Sequence, residues 1–174
     1  MLVGDGANGT SLAERGFTKQ PYDLANLQAP DFVRDVHREY FDAGSDFVET
    51  NTFEANRIRM ADQGVDIREL NLAGARLARE AAGPDHFVLG AIGPCGKALE
   101  PIGNVTEQQL RDAISEQAKA LADGGVDGFI LETYIDLCEL KIAVGAVRSV
   151  SDLPIIVSKA YIEDGEMLAE GLPM

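Results

Sequence analysis

"DFVETNTF", residues 46–53, is an apolar run that turns polar within one residue. Phe47 and Val48 suit a buried strand, whereas Glu49, Thr50, Asn51 and Thr52 bring a carboxyl, an amide and two hydroxyls in immediate succession. In parallel α/β proteins functional groups collect beyond the carboxyl ends of the strands, so a strand that stops this way points to a ligand. Alternation sets a limit. While the strand stays regular, Glu49 and Asn51 point opposite to Thr50 and Thr52, so one pair faces a common cup and the other ties down a helix.

Four further runs close on small or polar residues: "MLVGDG" (1–6), "HFVLGAIGP" (86–94), "GFILETY" (128–134) and "LPIIVSKAY" (153–161). All are continuous rather than alternating, as expected of parallel strands covered on both faces. Helical patterns lie between them. "PDFVRDVHREYFDAG" opens at Pro30, ends at Gly44, and sets Phe32, Val33, Val36, Tyr40 and Phe41 on one stripe. "IRELNLAGARLAREAAG" repeats Leu70, Ala73, Leu77 and Ala81 before Gly83. Thr106 caps a third pattern carrying Leu110, Ile114, Ala118 and Leu121, and Asp136 caps a fourth.

Strand and helix thus alternate, which predicts an α/β fold with right-handed crossovers. The 174 residues fit one domain, and neither a low-complexity linker nor a composition shift divides them. A doubly wound sheet and a (β/α) barrel both satisfy the pattern. "GDGANG" (4–9) matches the dinucleotide fingerprint, but only "SLAERG" follows it and no acid closes a second strand at the required distance.

Composition narrows the function. Hydrophobic residues make up 45% and charged residues 25%, enough for a packed core. With 15 Lys+Arg against 29 Asp+Glu the net charge is −14, which repels phosphate backbones and argues against nucleic acid as a partner. Cys95 and Cys138 are too few for a disulfide framework and suit a reducing compartment. No run approaches the ~20 apolar residues of a membrane span, and no basic leader opens the chain; the expected location is the cytoplasm.

Read in order, the strand ends carry Asp5, Glu49 to Thr52, "GPCG" (93–96), Glu132-Thr133 and Ser158-Lys159. Asp5, Glu49 and Glu132 around a small pocket are suited to an ammonium group, held through charge-assisted hydrogen bonds. Backbone N–H groups of "DGANGT" (5–10) are suited to a carboxylate. Ammonium and carboxylate together imply an amino acid. Lys159 offers a Schiff-base alternative, which predicts borohydride trapping of a carbonyl substrate. His37 and His86 lie away from the cup as packing or surface residues, and Cys95 reads as a small apolar filler.

These motifs resemble the homocysteine S-methyltransferases, the family of the amino-terminal module of cobalamin-dependent methionine synthase and of betaine–homocysteine methyltransferase. "DGANGT" resembles the family's "DGAMGT", with Asn8 in place of the usual Met, and "AGSDFVETNTF" (43–53) resembles "AGAD-x-x-x-TNTF". "GPCG" resembles "GPTG", and "GGVDGFILETYIDL" (124–137) resembles the fourth-strand signature. The resemblance implies a (β/α)8 TIM-type barrel of which this chain covers about the first five units. It also implies that Asp5 and Glu132 hold the homocysteine amine, that backbone groups around Ala7 and Asn8 meet the carboxylate, and that Thr50 and Phe53 line the pocket. Thr50, rather than Glu49, would face inward. The implied chemistry is methyl transfer to a zinc-bound thiol to give methionine, with methylcobalamin on another module, S-methylmethionine or betaine as donor.

The family's zinc cysteines lie in "GxNC" and "GGCC" motifs that are absent here, and neither Cys95 nor Cys138 matches them. A complete barrel needs ~250 residues and eight strands. Five units alone expose a strand edge and an apolar inner face. The chain is therefore expected to be the first part of a longer barrel, completed by a missing carboxyl-terminal half, an oligomer or another chain, and inactive alone. A catalytically silent amino-acid-binding or interaction module with a part-barrel fold is the alternative.

Overall fold

The computed structural model describes residues 1–161. The closing "EDGEMLAEGLPM" (163–174) lies outside them. A short helix α1 (Asn8–Glu14) leads through a 3-10 turn (Tyr22–Leu24) and α2 (Ala25–Gln28) into α3 (Pro30–Asp42). Then β1 (Phe47–Glu49), α4 (Ile67–Ala82), β2 (Phe87–Ile92), α5 (Glu107–Asp123), β3 (Gly128–Tyr134), α6 (Leu137–Arg148) and β4 (Ile155–Lys159) alternate.

The four strands pair in parallel in the order β1-β2-β3-β4. This order decides the architecture. A doubly wound sheet reverses direction at a switch point and carries helices on both faces, whereas an unreversed order with right-handed crossovers sends every helix to the same face. Here α3, α4, α5 and α6 touch in succession, and α4, α5 and α6 pack on β1, β2 and β3. The sheet is the opening arc of a (β/α) barrel.

Capping and packing explain the elements. Asp66, Thr106 and Asp136 cap α4, α5 and α6 through their side chains, Thr106 within a capping box closed by Gln109. Val48, Val88, Ile92, Phe129 and Leu131 meet Ala78, Leu110, Ile114, Leu121 and Val147 in one buried core between sheet and helices. The α3 stripe differs from the periodic expectation. Val33, Val36 and His37 are its buried residues, while Phe32 is exposed at 37%. His37 therefore packs inside, and both its ring nitrogens lack a partner. Burial lowers its pKa to about 4, so it is neutral. His86 stacks on Phe41 with ring centroids 4.4 Å apart.

The run 1–6 was expected to be a strand and is not one. The Val3 carbonyl accepts from Asp46 N at 2.7 Å and Phe47 N at 3.4 Å, and Val3 N donates to the Asp46 carboxylate rather than to a neighbouring ladder. Two glycines in six residues and an open outer side leave too little pairing to fix a strand, and Met1, Leu2 and Val3 are exposed. At the opposite edge β4 exposes Ile156 and Val157. Both edges are where a closed barrel would continue.

Gly74 lets α4 lie against the 51–52 segment: a Cβ there would stand 2.6 Å from both Asn26 Nδ2 and Thr52 Cγ2. Gly74→Ala gains about 1 kcal/mol of helix propensity. The clash with two buried side chains outweighs it, for a net loss of about 1–3 kcal/mol by urea denaturation.

Candidate functional site

At the carboxyl ends of the strands lies a cavity of about 470 Å³. Four chain segments wall it. Asp5 to Gly9 come from the first run and the start of α1, Glu49 to Glu54 from the end of β1, and Glu132 from β3; Tyr22 and Asp23 close one side. The structure thus brings together all six residues that the resemblance implies for the pocket, Asp5, Ala7, Asn8, Thr50, Phe53 and Glu132, with Glu49, which the strand-end reading sets beside Asp5 and Glu132, and adds Asn51, Thr52, Tyr22, Asp23 and Glu54.

Glu49 and Thr50 both reach the cavity, which strict alternation forbids. The regular strand ends at Glu49, so the rule lapses where the polar run begins. Each group then has its own task. Asp5 Oδ2 accepts the Glu49 N–H at 3.0 Å, fastening the first run to β1. Thr50 and Thr52 hydroxyls meet at 2.6 Å and continue the ladder to β2, one accepting from Ala91 N and the other donating to Ala91 O. Asn51 turns away, donating to the Tyr22 carbonyl and Asn26 Oδ1. Phe53 packs over Gly93, where a Cβ would stand 2.5 Å from its ring.

Glu132 stands beside the sole non-glycine residue with positive φ among those described, Thr133 at 64°. For a β-branched residue this is a strained conformation. It coincides with a break in register between Leu131 and Tyr134 of β3, and Tyr134 anchors the far side through its hydroxyl on the Gly93 carbonyl. Glu132 and Glu49 both line the cavity, close enough for the charge of Glu132 to raise the Glu49 carboxyl.

The electrostatics are one-sided. No lysine, arginine or histidine is among the described residues that line the cavity. Burial, opposed by backbone hydrogen bonds and helped by the Glu132 charge, pushes the Asp5 carboxyl up to about 7. Burial, then the charges of Glu132 and Asp5, pushes Glu49 up to about 8. Burial also raises Glu132, and it raises Asp23 to about 7 although Asp23 accepts the Glu54 N–H at 2.8 Å. The Arg59 guanidinium, whose charge reaches Asp23, is paired with Glu54. Such a cup has room for one positive charge and three acceptor groups to meet it.

Lys159 and Cys95 lie elsewhere. Lys159 Nζ donates to the Ile135 carbonyl at 2.6 Å and stands over Tyr161. Cys95 is fully buried, its Sγ donating to the Lys97 carbonyl, and burial pushes its thiol up to about 11. Neither has the exposed, activated form a nucleophile requires. Asp23 and Tyr22 escaped sequence reasoning because a turn distant in the chain carries them in. The polar run itself was the available signal for Glu49.

Comparison with known proteins agrees with this geometry. The profile of the family described as homocysteine S-methyltransferase matches residues 2–174. The chain is similar to the methionine synthases of Mycobacterium leprae and Mycobacterium tuberculosis, at 37% and 36% identity over 97% of its own length. It spans 16% of the length of these relatives. In fold it resembles the metallated form of the homocysteine methyltransferase MmuM from Escherichia coli, with a TM-score of 0.82 at 23% identity, covering 99% of this chain and 67% of that one.

Thr133→Gly removes the strain at φ 64° and returns about 1 kcal/mol or less after the added chain entropy, a rise measurable in the urea midpoint. The raised carboxyls oppose folding as they ionise. They are protonated in folded and unfolded chains alike below about pH 4, and only the folded state resists ionisation up to about pH 8. Stability therefore falls across that window, and Glu49→Gln is more stable than the wild type at about pH 8 but not at about pH 4, read as paired thermal melts.

Proposed function

This chain belongs to the homocysteine S-methyltransferase family, and we propose that its cavity is the homocysteine-binding part of a methionine synthase-like enzyme that transfers a methyl group to the homocysteine thiol. The observation that carries the proposal is the set of carboxyls without a cation at the strand ends. The substrate ammonium supplies the missing charge, donating to Asp5 and Glu132. Backbone groups around Ala7 and Asn8 receive the α-carboxylate at the opening turn of α1, where helix N–H groups have no internal partner. Phe53 and Thr50 wall the aliphatic part. The Thr50 hydroxyl is committed to Ala91 N and Thr52, so its contribution is shape.

A free thiol has a pKa of about 8.5 and is mostly protonated at neutral pH, so its attack on a methyl group needs activation. In the family zinc supplies that. The described residues do not fit it: none of their His, Cys, Asp and Glu side chains form a group of three or more disposed to hold a metal ion. Cys95 is inert and Cys138 stands exposed on α6. We assign thiol activation, and contact with the methyl donor or a corrinoid module, to the part of the relatives that this chain does not span. Within this chain the residues bind and orient the amino acid and restrict the water around it. No described helix is long and apolar enough to cross a membrane.

In the full-length protein that carries this chain, Glu132→Gln removes a charged acceptor from the ammonium and weakens homocysteine binding by about 1.5–3 kcal/mol in titration calorimetry, with zinc content unchanged. Unaltered affinity would remove Glu132 from the site.

A further inference from the structure

We propose that Glu49 is a third carboxylate of the ammonium cup, and that Glu49 and Glu132, facing the same cavity, hold one proton between them when the cup is empty and release it when a primary ammonium enters. The inference rests on the function proposed above and adds to it a residue, a specificity and a proton balance.

The geometry comes first. Glu49 ends β1 and Glu132 stands at the β3 bulge, on alternate strands of the arc. Inward side chains of alternate strands share a layer of a barrel, so the two carboxyls converge above β2. Three carboxyls on one cavity wall with no cation among the described lining residues favour a proton on one of them. Asp5 Oδ2 accepts the Glu49 N–H, which favours its ionised form, and its carboxyl is raised less far than that of Glu49. The other acids on the wall, Asp23 and Glu54, are engaged with the Glu54 N–H and with Arg59 respectively. No cation on the cavity wall competes for the pair. Like charges this close do not both ionise, in keeping with the rise of Glu49 to about 8.

The proton balance follows. The empty cup holds Asp5, Glu49 and Glu132 with one proton between the last two. An R–NH3+ group brings three N–H donors and one positive charge, which makes the third ionisation favourable. The carboxyl proton leaves to solvent, each N–H meets one carboxylate, and the net charge of the cup is the same before and after. A primary ammonium can satisfy all three acceptors; a quaternary ammonium has no N–H to offer.

The test uses the natural protein that carries this chain and L-methionine as probe, because methionine has no thiol proton of its own to lose. Calorimetry at about pH 7 in buffers of low and high ionisation enthalpy should show release of about one proton per methionine bound, with affinity rising by up to about tenfold per pH unit between about pH 6 and 8. In Glu49→Gln the release should fall by the larger part of a proton and the pH dependence should flatten. Methionine binding without buffer-dependent heat, or a Gln variant that releases as many protons as the wild type, overturns the proposal and leaves the amino-acid site standing. Equal proton release by 4-(methylthio)butanoate, which lacks the amine, also overturns it. Failure of both methionine and homocysteine to bind sinks the proposed function itself.

Discussion

A carboxyl group withdrawn from water with no cation beside it costs several kcal/mol to ionise, and this molecule gathers Asp5, Glu49 and Glu132 in that condition at one end of its sheet. Every feature around the cavity bears on that cost. Asp5 is held by a backbone N–H, the Glu132 charge bears on Glu49, and the Arg59 guanidinium is turned to Glu54. The protein tolerates the penalty because the rest of the arc is well packed: buried aliphatic and aromatic side chains lie in one layer between strands and helices. In the binding mode proposed above an ammonium ligand relieves the penalty, which would link substrate binding and local stability through the same three groups.

The surrounding shell keeps these groups from adapting to the strain by moving. Thr50 and Thr52 extend the β1–β2 ladder with their side chains after the backbone has stopped pairing. Asn51, Asn26 and the Tyr22 carbonyl form a second fastening on the other side. At β3 the left-handed Thr133 stores strain that the buried Tyr134 holds in place. Strain of this kind persists only where neighbours over-determine it, and here it fixes the direction of Glu132.

The first run behaves differently from the others, and the reason is instructive for part-barrels. Residues 1–6 carry Asp5 to the cavity wall yet make only three hydrogen bonds through their backbone to the 46–47 segment, one of them to the Asp46 side chain. In a closed barrel the first and last strands are neighbours, so the pairing that would regularise this run comes from strands beyond β4. The exposed Ile156 and Val157 of β4 mark the matching edge.

From sequence alone the alternation of strands and helices, the caps at Thr106 and Asp136, and the acids at the strand ends were readable, because each depends on local spacing or on a motif of a few residues. The resemblance carried Asp5 and Glu132 to the correct end of the fold. Three things needed the tertiary structure. The barrel-type winding follows from strand order, which no local pattern encodes. Glu49 and Thr50 reach the cavity together because β1 stops at Glu49 and the period-two rule stops with it. The nearness of Glu49 and Glu132 depends on two residues 83 positions apart lining one cavity across an intervening strand, a distance set by packing and by the bulge at Thr133 rather than by the order of amino acids.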